Sequence, residues 1–230
     1  MKLFKWVFRV FFSNRLVAGI IIRPLLVLDN FIYLLIGHYA SLASKNEHPK
    51  HDIVKYAEWF ISKLKSKMTI LDVGCNTGQM TQKLSHHVLK SYGIEIDRRL
   101  YETAKNKSSD NLIFINADAT QYDYSNLQNI DCVTLSNVLE HIEDRKTFLR
   151  SLNLNVNWVN KPHYLIRVPM IDRHWVVLLK KQYRVEYRLD KTHFIEYTKE
   201  IFYKEIESVG LVVKSFDVRW GEIYAEIIKR

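Results

Sequence analysis

The chain has 230 residues, of which 47% are hydrophobic and 26% charged, so it is long enough to bury one sizeable core without disulfide support. Its two cysteines, Cys75 and Cys132, exclude a disulfide-rich scaffold and are predicted to be free thiols in a reducing compartment. A net charge of +9 indicates an anionic partner, which leaves nucleic acid, an acidic membrane face and a phosphorylated or otherwise anionic substrate open.

Residues 1–44 are rich in apolar side chains, but charged residues interrupt them. The longest uncharged run, Asn30 to Ser44, is shorter than the roughly 18 apolar residues of a spanning helix, so the sequence does not predict a transmembrane segment. The arginines also break the apolar core that a secretory signal needs.

Two apolar helices are nevertheless predicted in this region. In the first, Lys2, Lys5 and Arg9 share one face, a pattern typical of a helix that lies in a membrane interface. The second covers Leu25 to Ile36. Peripheral membrane contact through residues 1–44 is one interpretation, and a cap on the following domain or a contact between copies is the other.

A polar stretch with a proline ends this region, so we predict an N-terminal helical extension, residues 1–51, followed by the main domain, residues 52–230. Asp52 is predicted to cap a helix from Ile53 to Lys65. Strands and helices then alternate, which predicts a parallel sheet with crossover helices. The strands are predicted at 69–73, 91–96, 112–115, 130–136, 163–169, 211–219 and 222–228, and the helices at 79–89, 98–107, 143–156 and 198–209.

Gly74 and Gly78 follow the first strand directly, and a helix-permissive run follows them. Glycine lets a backbone approach a ligand closely, so strand, glycine turn and helix together predict a nucleotide cradle. Glu95 ends the second strand, where doubly wound folds hold a ribose diol. The spacing G-x-x-x-G disfavours a nicotinamide enzyme, whose spacing is G-x-G-x-x-G.

The segments DVGCNTG, GIEID, NADA and DCVTLSNVLEHI together resemble the class I S-adenosylmethionine-dependent methyltransferases, from about residue 53 to the C-terminus. This resemblance implies an α/β fold: a Rossmann-like, doubly wound, mostly parallel seven-stranded sheet with a C-terminal antiparallel hairpin, here after an N-terminal helical extension. It also implies a methyltransferase that uses S-adenosyl-L-methionine as its cofactor.

By the same resemblance, Asp72 organises the loop and meets the amino end of the methionine moiety, Glu95 accepts both ribose hydroxyls, and Asp118 accepts from the adenine amine. The expected cofactor contacts are Asp72, Gly74, Cys75, Asn76, Gly78, Glu95, Ile96, Asp118, Ala119, Ser136 and Asn137. Many relatives carry glycine at the position of Asn76, a departure that we expect to change loop flexibility more than binding.

Residues 171–197 form a long insertion after the fifth strand, on the cofactor side of the sheet, and are predicted to be a lid over the acceptor. The candidate catalytic bases are His193, Asp172, His174 and His141, and the candidate acceptor contacts are Arg173, Trp175, Tyr187 and Arg188. Transfer aided by water, or without a base, stays open, as does a structural role for His141. Glu140 and His141 could converge on a cation, but Asn137 stands where a third charged ligand would be needed, so no metal is predicted.

The segments VPMIDRHW, VEYRLDKTHFIEYT and RWGEIYAE also resemble bacterial and archaeal methyltransferases of surface polysaccharide or glycolipid assembly. That resemblance implies O-methylation of a sugar or lipid-linked saccharide, in the cytoplasm at the inner membrane face. A nucleic-acid substrate is disfavoured, because residues 136–139 read SNVL and not N/D-P-P-Y/F. A small lipophilic acceptor such as a quinone precursor, and a membrane-associated subunit that binds cofactor without turnover, remain alternatives.

Overall fold

The computed structural model describes residues 14–44 and 49–229, so the interface helix predicted within the first eleven residues lies outside the described residues. The described residues group into two compact units. We name residues 14–44, 49–54 and 174–191 the helical unit, and residues 55–173 and 192–229 the sheet unit.

The sheet unit is built on one seven-stranded sheet with the order β3-β2-β1-β4-β5-β7-β6. The strands are β1 (Thr69–Val73), β2 (Lys90–Glu95), β3 (Leu112–Asn116), β4 (Cys132–Ser136), β5 (His163–Pro169), β6 (Leu211–Arg219) and β7 (Glu222–Lys229). β7 runs antiparallel to both of its neighbours, and the other pairings are parallel. The predicted Rossmann-like fold with a C-terminal antiparallel hairpin is therefore confirmed.

Eight α-helices and two 3-10 turns accompany the sheet within the described residues. The helices are α1 (Arg15–Ala43), α2 (Lys50–Val54), α3 (Tyr56–Ile61), α4 (Gln79–Ser85), α5 (Arg98–Lys105), α6 (Arg145–Asn155), α7 (Trp175–Gln182) and α8 (Lys199–Ser208), and the 3-10 turns are Tyr124–Asn126 and Leu139–His141. α1, α2 and α7 belong to the helical unit.

The central strands are buried on both faces, as a parallel sheet between helix layers requires. Along β1, Leu71 and Val73 join a core cluster that includes side chains of α6 and α8. Ile70, which directly precedes Leu71, points to the other face and joins a separate cluster with Trp59 and Phe60 of α3. Helices on both faces therefore fix the strands, and their carboxyl ends lie along one edge.

The helix predicted from Ile53 to Lys65 is wrong in its bounds and in its cap. Asp52 lies inside α2 and not at its start. Lys55 adopts a left-handed conformation with φ 50°, which separates α2 from α3, and α3 ends at Ile61. A helix cannot continue through a left-handed residue, so an apolar pattern that reads as one helix forms two short ones.

The helix predicted over Leu25 to Ile36 is the middle of the longer helix α1. Asn14 caps α1, because its side-chain oxygen accepts a hydrogen bond from the Leu16 backbone N–H at 2.9 Å. α1 is long and apolar enough to cross a membrane by length and composition, criteria that buried core helices and signal sequences also meet. Most of its large apolar side chains are nevertheless exposed.

Candidate functional site

The loop after β1 is held so tightly that two of its positions accept only glycine. Gly74 and Gly78 have φ angles of 66° and 75°. A Cβ at Gly74 would lie 2.6 Å from Val138, and one at Gly78 would lie 2.6 Å from Phe114. Asn76 also has a positive φ, of 53°, a conformation that asparagine tolerates better than most residues. An asparagine at this position, where many relatives carry glycine, is therefore compatible with the backbone conformation of the loop.

Glu95, at the end of β2, connects two loops at the carboxyl edge of the sheet. One carboxylate oxygen accepts from the Asn76 backbone N–H at 2.8 Å, and the other accepts from the Asp97 backbone N–H at 2.9 Å. The side chain is almost completely buried. Its two oxygens thus lie between the glycine loop and the loop after β2, a position that suits the predicted ribose contact, which stays a prediction.

Asp72 is buried under the same loop. Its two oxygens accept hydrogen bonds from the hydroxyls of Thr81, on α4, and Thr134, on β4, each at 2.6 Å. Burial raises the pKa of Asp72 to about 6, against the opposing effect of the two threonine hydrogen bonds. These contacts support the predicted role in organising the loop, whereas contact with a methionine moiety stays a prediction.

The remaining predicted cofactor contacts also lie at or next to the carboxyl edge. Asp118 follows β3 and accepts from the backbone N–H and the hydroxyl of Thr120, while the carbonyl of Ala119 accepts from the hydroxyl of Tyr124. Ile96 is two-thirds exposed, as expected for a side chain that packs on a ligand ring. Cys75 is buried and free, and burial raises the pKa of its thiol.

The end of β4 is joined to β5 by an arginine that sequence reasoning missed. Ser136 ends β4, and Asn137 follows it with a φ of 57°. The Arg167 Nε donates to the Asn137 side-chain oxygen at 3.2 Å, and the guanidinium lies 4.0 Å from the Tyr56 ring. Arg167 is buried, and a charged residue inside the apolar strand 163–169 was the available signal.

The structure brings together two of the four candidate catalytic residues. The rings of His141 and His193 lie 4.5 Å apart, edge to face. Nδ1 of His141 lies 2.8 Å from the Thr192 hydroxyl, and Nδ1 of His193 lies 3.3 Å from a Glu196 oxygen. These rings and Glu140, which the sequence did not select, offer ligand atoms within 4.8 Å of one another.

The other predicted acceptor residues are divided between the two units. Asp172, which is exposed, and Arg173 belong to the sheet unit, where Arg173 donates to the Met170 carbonyl and to Glu196. His174, Trp175, Tyr187 and Arg188 belong to the helical unit. There, the Arg188 guanidinium donates two hydrogen bonds to Glu186 and its backbone N–H donates a third, and these bonds lower the pKa of Glu186 to about 2. The insertion 171–197 therefore does not form one separate element.

The sheet order, the glycine cradle and the acidic residues at successive strand ends define the class I methyltransferase fold. Residues 71–153 match the family model described as a methyltransferase domain. This match covers the strands that carry the predicted cofactor contacts.

Comparisons with individual proteins agree with this class. The chain is 29% identical, over 100 residues, to the ubiquinone biosynthesis O-methyltransferase of Coxiella burnetii strain Dugway, a match that covers 43% of this chain and 42% of that protein. Magnesium protoporphyrin IX methyltransferase from Synechocystis PCC 6803, solved with bound SAH, is similar over 76% of this chain and 81% of its own, with 15% identity and a TM-score of 0.59. A SAM-dependent methyltransferase from Aquifex aeolicus is similar over 83% of this chain and 98% of its own, with 15% identity and a TM-score of 0.61.

Proposed function

We propose that the protein is an S-adenosylmethionine-dependent O-methyltransferase whose acceptor is carried in, or on, a lipid membrane. The methyltransferase-domain match and the fold support the reaction class. The exposed apolar surface of the helical unit is the observation that carries the location of the acceptor.

The residues at the carboxyl edge fit this cofactor. Val138 and Phe114 pack against Gly74 and Gly78 and so fix the glycine loop, while Glu95 and Asp118 place carboxylates at the carboxyl ends of the adjacent strands β2 and β3. When bound, S-adenosylmethionine supplies a methyl group that is already activated by the sulfonium. The protein then has to hold the acceptor oxygen in line with that group and exclude water.

The apolar surface of α1 favours a bilayer as its surroundings. Large side chains on all sides of the helix are exposed; Leu34, for example, is 68% exposed. They are Leu16, Ile20, Leu25, Val27, Leu28, Phe31, Ile32, Tyr33, Leu34, Leu35, Ile36, Tyr39 and Leu42. Extended apolar patches that are exposed on a soluble protein mark interaction sites, and basic residues near such a patch favour anionic lipids.

Two polar residues of α1, Asp29 and Asn30, make hydrogen bonds inside the helical unit. The Lys180 ammonium donates to Asp29 at 2.6 Å and to the Asn30 side-chain oxygen at 2.8 Å. The Asn30 amide donates to the Glu186 carbonyl at 2.7 Å. Neutralising Asp29 in this way lowers the cost of placing α1 next to lipid.

Two acceptor classes fit a membrane location. The segments around 168–175, 185–198 and 219–226 resemble enzymes of glycolipid assembly and favour a lipid-linked saccharide as the first candidate. Similarity to a ubiquinone biosynthesis O-methyltransferase and to magnesium protoporphyrin IX methyltransferase favours a small lipophilic acceptor as the second.

Vesicle pelleting tests the location of the acceptor. Full-length protein should pellet with vesicles that contain phosphatidylglycerol, and Leu34→Glu should reduce the bound fraction at least fivefold. Leu154→Glu is the matched control, because Leu154 is an equally exposed leucine on α6 of the sheet unit. Equal loss in both variants, or no pelleting of the wild type, would contradict the membrane location.

Transfer of a radiolabelled methyl group tests the reaction. Wild-type protein is incubated with labelled S-adenosylmethionine and either membrane lipid extract, quinone precursors or soluble sugar nucleotides. Label that enters a mild-acid-labile lipid fraction supports the lipid-linked saccharide, and label in the quinone fraction supports the second class. Label in soluble sugar nucleotides alone would contradict a membrane acceptor, and binding of S-adenosylmethionine without any transfer would favour a non-catalytic subunit.

A further inference from the structure

Glu140, His141 and His193 converge from two distant parts of the sequence. Glu140 and His141 lie in the 3-10 turn that follows β4, and His193 lies in the segment that precedes α8. The Phe194 backbone N–H donates to the Glu140 carbonyl at 2.8 Å, which fixes the two segments against each other. The backbone of the fold therefore brings these two segments together.

Glu140 is buried without a polar partner that would account for its position. It is fully buried, and neither carboxylate oxygen has a hydrogen-bond partner within the described part of the chain. Burial raises the pKa of this carboxyl to about 8, although the charge of Arg167 acts in the opposite direction. Buried carboxylates of this kind are normally paired or coordinate a metal, because leaving them unsatisfied is costly.

Both imidazoles have the outer support that metal-bound histidines have in other proteins. Nδ1 of His193 faces Glu196, whose carboxylate also accepts a hydrogen bond from Arg173. Nδ1 of His141 faces the Thr192 hydroxyl. A partner on one ring nitrogen fixes the tautomer and presents the other nitrogen as a ligand.

We propose that Glu140, His141 and His193 bind one divalent first-row transition metal ion, such as Zn²⁺ or Mn²⁺, through one carboxylate oxygen and two imidazole nitrogens. Their ligand atoms lie within 4.8 Å of one another, and ligands about 2.0–2.2 Å from one ion lie at most about 4.4 Å apart. A shift of a few tenths of an ångström therefore completes the site. Two imidazoles select a transition metal over Mg²⁺ or Ca²⁺, which prefer oxygen ligands.

A cobalt titration tests the site without any methyl-transfer assay. Full-length protein is stripped with a chelator and titrated with Co²⁺, and the visible absorption of bound Co²⁺ is followed. We expect one ion per chain, displacement by equimolar Zn²⁺, and no displacement by millimolar Mg²⁺. A spectrum typical of nitrogen and oxygen ligands would agree with two imidazoles and a carboxylate.

Substitutions assign the ligands. Glu140→Gln and His193→Asn should weaken Co²⁺ binding by more than 100-fold, and Thr192→Val, which removes the hydroxyl that faces Nδ1 of His141, by about 10- to 100-fold. His87→Asn is the matched control, because His87 is an exposed histidine of the same unit and should not change affinity. Near-ultraviolet circular dichroism of each variant confirms that it folds.

The outcomes separate this site from adventitious binding. Affinity that falls with His87→Asn as much as with Glu140→Gln, or stoichiometric binding that Glu140→Gln leaves unchanged, would overturn the proposal. Absence of Co²⁺ binding by folded wild-type protein would also overturn it. None of these results bears on S-adenosylmethionine binding, so the methyltransferase assignment is tested separately.

Discussion

The two units of this protein place apolar side chains in opposite surroundings. In the sheet unit, the apolar residues of β1, β4 and β5 are buried between helices. In the helical unit, Leu26 is the buried residue of α1, and large apolar side chains on the rest of the helix are exposed. Folding alone buries the apolar residues of these strands, whereas the exposed apolar residues of α1 require other surroundings, which we propose to be lipid.

The polar groups differ in the same way. The sheet unit buries Asp72 and Glu140, and burial raises the pKa of both carboxyls. In the helical unit, Asp29 and Glu186 stay partly or largely exposed and pair with Lys180 and Arg188. Strained and desolvated groups thus concentrate at the carboxyl edge of the sheet, where catalytic and binding residues are usually found.

The largest effect on the sheet unit should come from Gly78→Ala. The new Cβ would lie 2.6 Å from Phe114 in a backbone with φ 75°, so strain and overpacking together should cost about 3 kcal/mol of unfolding free energy. Urea unfolding measures this loss. Gly210→Ala is the matched control, because Gly210 has a similar φ of 76° but open space around its Cβ position. Equal losses would mean that backbone strain alone explains the effect and that contact with Phe114 is unimportant.

Asp72 should make the stability of the sheet unit depend on pH. Its pKa of about 6 in the folded protein lies above its ordinary value of 3.8, so ionisation opposes folding. The cost is absent below about pH 4, grows between about pH 4 and pH 6, and reaches about 3 kcal/mol above pH 6. The unfolding free energy of the wild type minus that of Asp72→Asn should therefore fall by about that amount from pH 4 to pH 7.

Asp97→Asn provides the control of opposite sign. Hydrogen bonds from the Leu100 and Arg99 backbone N–H groups lower the pKa of Asp97, so its ionised form favours folding. Its contribution should grow, not fall, as the pH rises through the acidic range. A wild-type-minus-Asp72→Asn difference that stays flat over this range would contradict the burial effect at Asp72.

Glu95→Ala should reduce S-adenosylmethionine affinity about 100-fold, or about 2.7 kcal/mol, measured by calorimetry. The side chain also holds the backbone N–H groups of Asn76 and Asp97, so Glu95→Gln, which keeps one acceptor, separates the ligand contact from loop support. Unchanged affinity in Glu95→Ala would remove the ribose assignment. Leu34→Glu, in the helical unit, should leave S-adenosylmethionine affinity unchanged. That result would show that cofactor binding depends on the sheet unit and not on the apolar surface of α1.

Local patterns predicted the sheet well because each strand is coded by adjacent residues. The bounds of β1, β5 and β6 match the prediction, and the final hairpin turns at Trp220 and Gly221, both with positive φ. The break at Lys55 carried no such local signal, because lysine seldom adopts a left-handed backbone.

The residues of the candidate site also fall into two groups, those indicated by adjacent residues in the sequence and those brought together only by the fold. The predicted cofactor contacts lie at or just after strand ends, so the strand pattern of the sequence was enough to select them. The proximity of Glu140 and His193 could not be predicted from the sequence, because a long stretch of chain that includes the insertion separates them. They come together only because the segment before α8 packs against the 3-10 turn after β4. The sequence indicated that Glu140 and His141 could converge on a cation, but nothing in the neighbouring residues indicates that Glu140 is fully buried.

The smallest effect should come from Lys180→Met, which tests how the helical unit holds α1. Methionine keeps the buried stem but removes the ammonium that donates to Asp29 and Asn30. Since the Asp29 side chain is 59% exposed, solvent screens the pair, and the loss should be below about 1 kcal/mol. Faster hydrogen exchange in the middle of α1, with exchange in β1 and β4 unchanged, is the expected result. Lys181→Met, next in sequence and exposed, should leave both regions unchanged. If exchange in α1 instead stays as slow as in the wild type, packing of Leu26 and not the lysine contact holds the helix.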